Sequence, residues 1–162
     1  MALTAGCILR EGESLTSERV IAQVGPNTVL RLHAMWEASY GPGADLGIRN
    51  NPALAAQYNY ADLGAEYHAY IQEYTKTSRT PPDRLYLDVH RGHMVFLKPG
   101  EQRFVTQEAL THTLTGRGPE IIERLEAIEA MGVDHVAISV TDATGARDLI
   151  EDFGREVIAK RT

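Results

Sequence analysis

A chain of 162 residues, 43% hydrophobic and 23% charged, can bury a sizeable core and is too apolar to be disordered; a single domain over residues 1–162 is expected. The net charge of -6 disfavours nucleic acid and anionic membrane as partners, because an acidic surface gains nothing from counterion release. The single cysteine, Cys7, excludes an internal disulfide and a multi-cysteine zinc site. One cysteine suits a reducing cytoplasm, which is the expected home, and no apolar run approaches the ~20 residues of a membrane span.

In chain order, Thr4 to Leu9 is a short apolar run with the look of a strand, ended by the polar turn Arg10–Ser14. Ser17 is placed to cap a helix with Val20, Ile21 and Val24 on its apolar side. Gly25-Pro26 interrupts that pattern, and Asn27 opens a longer helix through Trp36 and Glu37. Gly41-Pro42-Gly43 is a break, and 43–51 reads as a loop. From Pro52 a further helix carries Leu54, Tyr58, Ala61, Ala65, His68 and Ile71 at helical spacing, and its many tyrosines read as packing residues with phenol edges reaching water. After a second break at 77–83, Leu85, Leu87 and Val89 alternate with Tyr86 and Asp88, and Met94 to Leu97 is continuously apolar.

The most readable stretch runs from Leu110 to Val140 as strand, turn, helix, strand. Gly116, Gly118 and Pro119 break the first extended run, placed around Thr111 to Leu114, and open a helix. Ile121, Leu125 and Ile128 recur at helical spacing, with acidic residues opposite, and Gly132 stops the helix. Val136 to Val140, nearly unbroken in apolar character, predicts a strand covered on both faces, as in a parallel sheet. A last helix follows over Gly145 to Lys160. Strands each followed by a helix make this an α/β fold.

Several segments carry polar residues in suggestive order. His90, Arg91 and His93 form the densest cluster: an arginine can hold a carboxylate or phosphate and a histidine can move a proton, or the three side chains bond nearby carbonyls around a helix start. No third ligand accompanies the two histidines, so no metal site is expected. Thr115-Gly116-Arg117-Gly118 lies between a strand and a helix N-terminus, where free backbone donors and the helix dipole favour an anion; the plainer reading is that both glycines permit the turn. Arg10, Glu11 and Glu13 read as a solvated turn, and Cys7 as a small core residue. Packing or surface roles suit His33, His68, His112 and His135.

GCILREGESLTSERV from Gly6, GPNTVLRLHAMWE from Gly25, HRGHMVFL from His90, LTGRGPEIIERLEAIEAMGVDHVAI from Leu114 and EDFGREVI from Glu151 together resemble the C-terminal part of the luciferase-like monooxygenases, flavin- or deazaflavin-dependent oxidoreductases built on a TIM barrel. The resemblance covers nearly the whole chain, loosely between Gly41 and Pro82, and none of its segments is a catalytic signature. A closed barrel takes ~250 residues. The resemblance therefore implies a partial (β/α)8 barrel, its last three β/α units with a helical insertion. It further implies FMN or the deazaflavin coenzyme F-420 as cofactor, a small-molecule substrate, and a homodimer or companion chain supplying the missing strands. His90, Arg91 and His93 are then the candidate catalytic residues, and Thr115, Gly116, Arg117 and Gly118 the candidate cofactor loop. The competing expectation is a non-catalytic, degenerate partial barrel that self-associates or binds a small molecule.

Overall fold

The computed structural model describes residues 1–40, 61–141 and 144–161. The helix expected from Pro52 is described only from Ala61, so Leu54, Tyr58 and the 43–51 loop lie outside the described residues. The chain divides into two compact units, one of residues 1–28 and 92–162, the other of residues 29–91.

The first unit is α/β. Its opening run forms β1 (Ala2–Thr4) and β2 (Gly6–Ile8), so the strand begins two residues earlier than its apolar stretch suggests. Parallel ladders join β1 to β4 (Val136–Ile138) and β2 to β3 (Leu114–Gly116). Successive residues of an extended chain turn their backbone groups to alternate edges. Thus Ala2 N–H donates to His135 and Thr4 C=O accepts from Ser139 on one edge, both at 2.8 Å. On the other edge Ala5 C=O accepts from Leu114 at 2.8 Å and Leu9 N–H donates to Gly116 at 2.9 Å. The first run therefore lies between the other two.

Two expected strand boundaries move. The middle strand was expected around Thr111 to Leu114 but occupies Leu114–Gly116. Thr106 accepts a cap bond from Ala109 N–H and winds Gln107–Leu110 into a helical turn, which consumes the preceding residues. β4 is half-buried along its length rather than covered on both faces, and Val140 beyond it is exposed. Among the described residues it is an edge strand, with β1 on one side only.

α1 (Glu18–Thr28) starts as expected, with Ser17 Oγ accepting from Val20 N–H at 3.4 Å. It then runs straight through Gly25-Pro26, where the sequence reads as a break. Pro26 forfeits only the bond to Ala22 C=O, and Ala22 is exposed to water. Gly25 also sits so close to Leu97 and Val105 that an added Cβ would lie 2.9 Å and 3.2 Å from their side chains. Packing there favours an unbroken helix. α2 (Leu30–Tyr40) and α3 (Ala61–Tyr74), in the second unit, pack on one another around Tyr67, Tyr70 and Ile71. In the same unit Leu85 to Val89, alternating in sequence, winds as a turn of helix over Tyr86–Val89.

α4 (Gly118–Ala130) and α5 (Ala146–Glu156) cover the first unit's strands, with Ile8, Leu114, Ile121, Leu149, Phe153 and Val157 as the core. Ile121 is fully buried; Leu125 and Ile128, expected beside it, are half-buried. A buried ion pair, Lys98 Nζ to Glu101 Oε1 at 2.7 Å, closes the turn at Gly100, and Glu101 also accepts from Lys98 N–H at 2.8 Å. Burial pushes the Lys98 ammonium below its ordinary value, and the Glu101 carboxylate opposes that shift.

Ile121→Ala should cost about 2–5 kcal/mol, and Leu125→Ala about 1–2 kcal/mol, in denaturant titrations. Equal costs would show that α4 seats differently. Removing one partner of the buried pair, in Glu101→Ala, should cost about 3–5 kcal/mol because it takes the carboxylate away from a buried ammonium. The double variant Lys98→Met/Glu101→Leu should recover most of that loss.

Candidate functional site

The carboxyl ends of β2 and β3 stand in register, Ile8 opposite Gly116, and ligands of α/β folds bind at such ends. After β2 the chain turns through 10–17 and is held by charge. Arg19 donates to Ile8 C=O at 2.8 Å and to Glu13 Oε1 at 2.8 Å, and its Nη2 is also bonded to Glu13 Oε2. Glu13 accepts from Arg10 N–H at 3.0 Å and from Ser17 Oγ at 3.0 Å. The Arg19 guanidinium, ahead of the other donors, holds the Glu13 carboxyl down at about 2. Arg10 reaches α5, at 2.6 Å from Asp148 and 3.3 Å from Asp152, and Arg155 bonds the other oxygen of buried Asp152 at 2.6 Å. The turn expected to be simply solvated is thus a clasp between β2 and α5, with Glu11 alone of the three expected residues left outside it.

Cys7 is fully buried in β2, as expected of a small core residue. Its Sγ donates to Gln23 Oε1 at 3.3 Å, and Gln23 Nε2 donates to Gly6 C=O at 3.1 Å. Burial pushes the thiol up to about 11, so no nucleophilic thiolate forms near neutral pH.

The loop after β3 places Thr115, Gly116 and Gly118 in the interior and Arg117 in solvent. Thr115 Oγ1 shares a hydrogen bond of 2.7 Å with Thr113 Oγ1. Glu120 Oε2 accepts from Arg117 N–H at 2.8 Å, so the helix N-terminus already holds a carboxylate of its own. The two glycines answer to close approach: a Cβ on Gly116 would lie 2.8 Å from Glu120 Oε2, and one on Gly118 2.7 Å from Glu156 C=O. A phosphate group does not fit this loop as an enclosed cradle. The exposed guanidinium of Arg117 is the one side chain of the four that is open to such a group.

The His90–His93 cluster divides between the units: His90 and Arg91 end the second, and His93 lies in the first, where it is exposed. His90 closes the turn Tyr86–Val89, and its Nε2 lies 2.8 Å from Glu37 Oε2 of α2. Its ring meets that of buried His33 edge-on, with centroids 5.5 Å apart. Arg91 is exposed. His33 and Glu37 belong to a helix read only for its apolar spacing, and a separation of 53 residues along the chain hides the His90–Glu37 pair from any local pattern.

His68, for which a packing or surface role is expected, is the acceptor for the only tryptophan, Trp36 Nε1 to His68 Nδ1 at 3.2 Å, with Tyr40 stacked on its ring at 3.7 Å. His112 and His135 are exposed.

Acid should loosen the clasp in a defined window. Glu13 titrates below its ordinary 4.5 in the folded chain, so the folded state binds fewer protons there. Its contribution is complete above pH 4.5 and disappears as the pH falls to about 2. Glu13→Gln should cost on the order of 1–2 kcal/mol at pH 7 and flatten the stability profile across that window, followed by urea unfolding at stepped pH. A variant with the slope of the parent would remove Glu13 from the acid response.

No family model, no curated protein and no solved structure matches this chain.

Proposed function

We propose that this chain is part of a flavin- or deazaflavin-dependent oxidoreductase of the luciferase-like kind, contributing the last β/α units of a partial barrel and working with strands from a second copy or a companion chain. The observation that carries the reading is the pair of parallel strands, β2 and β3, ending together with a charged turn after one and a strand–turn–helix junction after the other. The family resemblance of the same segments, LREGES and LTGRGP, points the same way.

In this reading FMN or coenzyme F-420 supplies the hydride chemistry. Arg117 meets the cofactor's phosphate from solvent, while the Arg10–Glu13–Arg19–Asp152 clasp keeps the neighbouring turn rigid. Within the second unit by itself, His90, 2.8 Å from Glu37, can move a proton and Arg91 can hold an anionic group. The half-buried edge strand β4 is where further strands would add. Among the described residues no helix is long and apolar enough to cross a membrane, in keeping with an enzyme free in the cytoplasm.

A second reading has its own support. Glu120 already caps the anion position, and the first run lies between the other two strands, whereas a barrel wound in chain order sets the middle strand at the centre. Both features suit a non-catalytic module that self-associates through β4.

Cofactor fluorescence and sedimentation on the same samples separate the two. FMN and F-420 should be retained only where the chain assembles. Arg117→Ala should weaken FMN about tenfold and leave riboflavin, which lacks the phosphate, unchanged. Assembly without binding of either cofactor at any concentration would leave the second reading. FMN held equally by parent and variant would move the phosphate site away from Arg117.

A further inference from the structure

The second unit holds a cleft of about 500 Å3, of a size that takes small molecules. Its walls are mostly apolar and aromatic, with Trp36, Tyr40, Ile71, Leu85 and Tyr86 among them. His68 lines it too.

An indole N–H can only donate. Trp36 Nε1 donates to Nδ1 of His68 at 3.2 Å, so Nδ1 is the acceptor nitrogen and the ring proton sits on Nε2. The tautomer is set by geometry, and Tyr40 stacked at 3.7 Å and 12° fixes the ring plane. Burial also pushes the imidazole below its ordinary value, which favours the same neutral form. Among the described residues Nε2–H has no hydrogen-bond acceptor. The cleft therefore presents one oriented donor among aromatic faces. Its charge is one-sided: among the described residues Asp83 is the single acidic side chain in the lining, with no lysine or arginine beside it to receive an anion.

We propose that this cleft binds a small, uncharged aromatic compound carrying one hydrogen-bond acceptor, such as an aryl carbonyl, which receives Nε2–H of His68 while its ring lies among Trp36, Tyr40 and Tyr86. The aromatic faces supply the contact area, the donor sets orientation, and Asp83 turns away aryl carboxylates of the same shape. The site is independent of the cofactor reading, since every group it uses lies within residues 29–91.

Trp36 is the only tryptophan, so its indole N–H resonance reports on this cleft alone in the 15N-labelled full chain. Titration with acetophenone should shift that resonance saturably. Benzoate should bind about fivefold more weakly or worse, and benzyltrimethylammonium no more tightly than acetophenone. His68→Phe, which keeps the ring and removes the donor, should weaken acetophenone about tenfold with an unchanged circular dichroism spectrum. Asp83→Asn, at the exposed rim, should bring benzoate to within about twofold of acetophenone, and it decides the matter should His68→Phe fail to fold. The proposal is overturned by an indole resonance that acetophenone leaves in place, by benzoate or the cation binding more tightly than acetophenone, by a folded His68→Phe that binds as the parent does, or by an Asp83→Asn chain that still rejects benzoate.

Discussion

The opening run, Ala2 to Ile8, is paired on both edges, and the first unit is arranged around that fact. A strand that spends one edge on β4 and the other on β3 must be central, and a central parallel strand needs cover on its faces. α1, α4 and α5 provide it. Cys7 and Ile8 are consequently buried, and small residues at Ala5, Gly6 and Cys7 let the helices come close. The offset of the two ladders along the run leaves β4 joined near its beginning and β3 near its end. α4 packs on β3, which is enclosed, while β4 stays half-exposed.

The same arrangement concentrates polar groups at the far end of β2. Ile8 C=O ends the strand, Arg19 reaches back to it, and the guanidinium then recruits Glu13 and lies 3.9 Å from Asp152. Each charge in the set meets an opposite one, so the clasp is suited to holding the turn still rather than to receiving a ligand. Glu120 plays a similar part at the start of α4. Of the side chains at these strand ends, Arg117 is the exposed cation outside the clasp. In the second unit the balance is reversed: Trp36 spends its donor on His68 and thereby orients a second donor in an aromatic cleft.

How legible these sites were follows from the range of the interactions that make them. The Thr115–Gly118 junction stood out because strand, glycine and helix start are neighbours in sequence. Its capping carboxylate, three residues on, was within reach of the same reading. Arg10, Glu11 and Glu13 read as a solvated turn because the carboxylates that hold Arg10, Asp148 and Asp152, are more than a hundred residues away. His68 reads as a packing residue for a similar reason, since helical spacing places it on a face and says nothing about Trp36 on another helix. His90 and Arg91 were visible as a cluster, but the contact from His90 to Glu37 is tertiary.

By itself the sequence determined the α/β class, the helix after Gly118 and its stop at Gly132, the cap at Ser17, and the burial of Cys7. Each rests on local periodicity, a capping side chain or a turn glycine, and such signals act within a few residues. Tertiary structure alone decided that α1 continues through Gly25-Pro26, because close packing against Leu97 and Val105 favours a straight helix over the local tendency to break. It likewise decided which strand is central, since apolar character marks a strand without naming its neighbours. The strand-end polar network and the donor in the aromatic cleft are also tertiary, because a charge or a hydrogen bond finds its partner by distance in space and not along the chain.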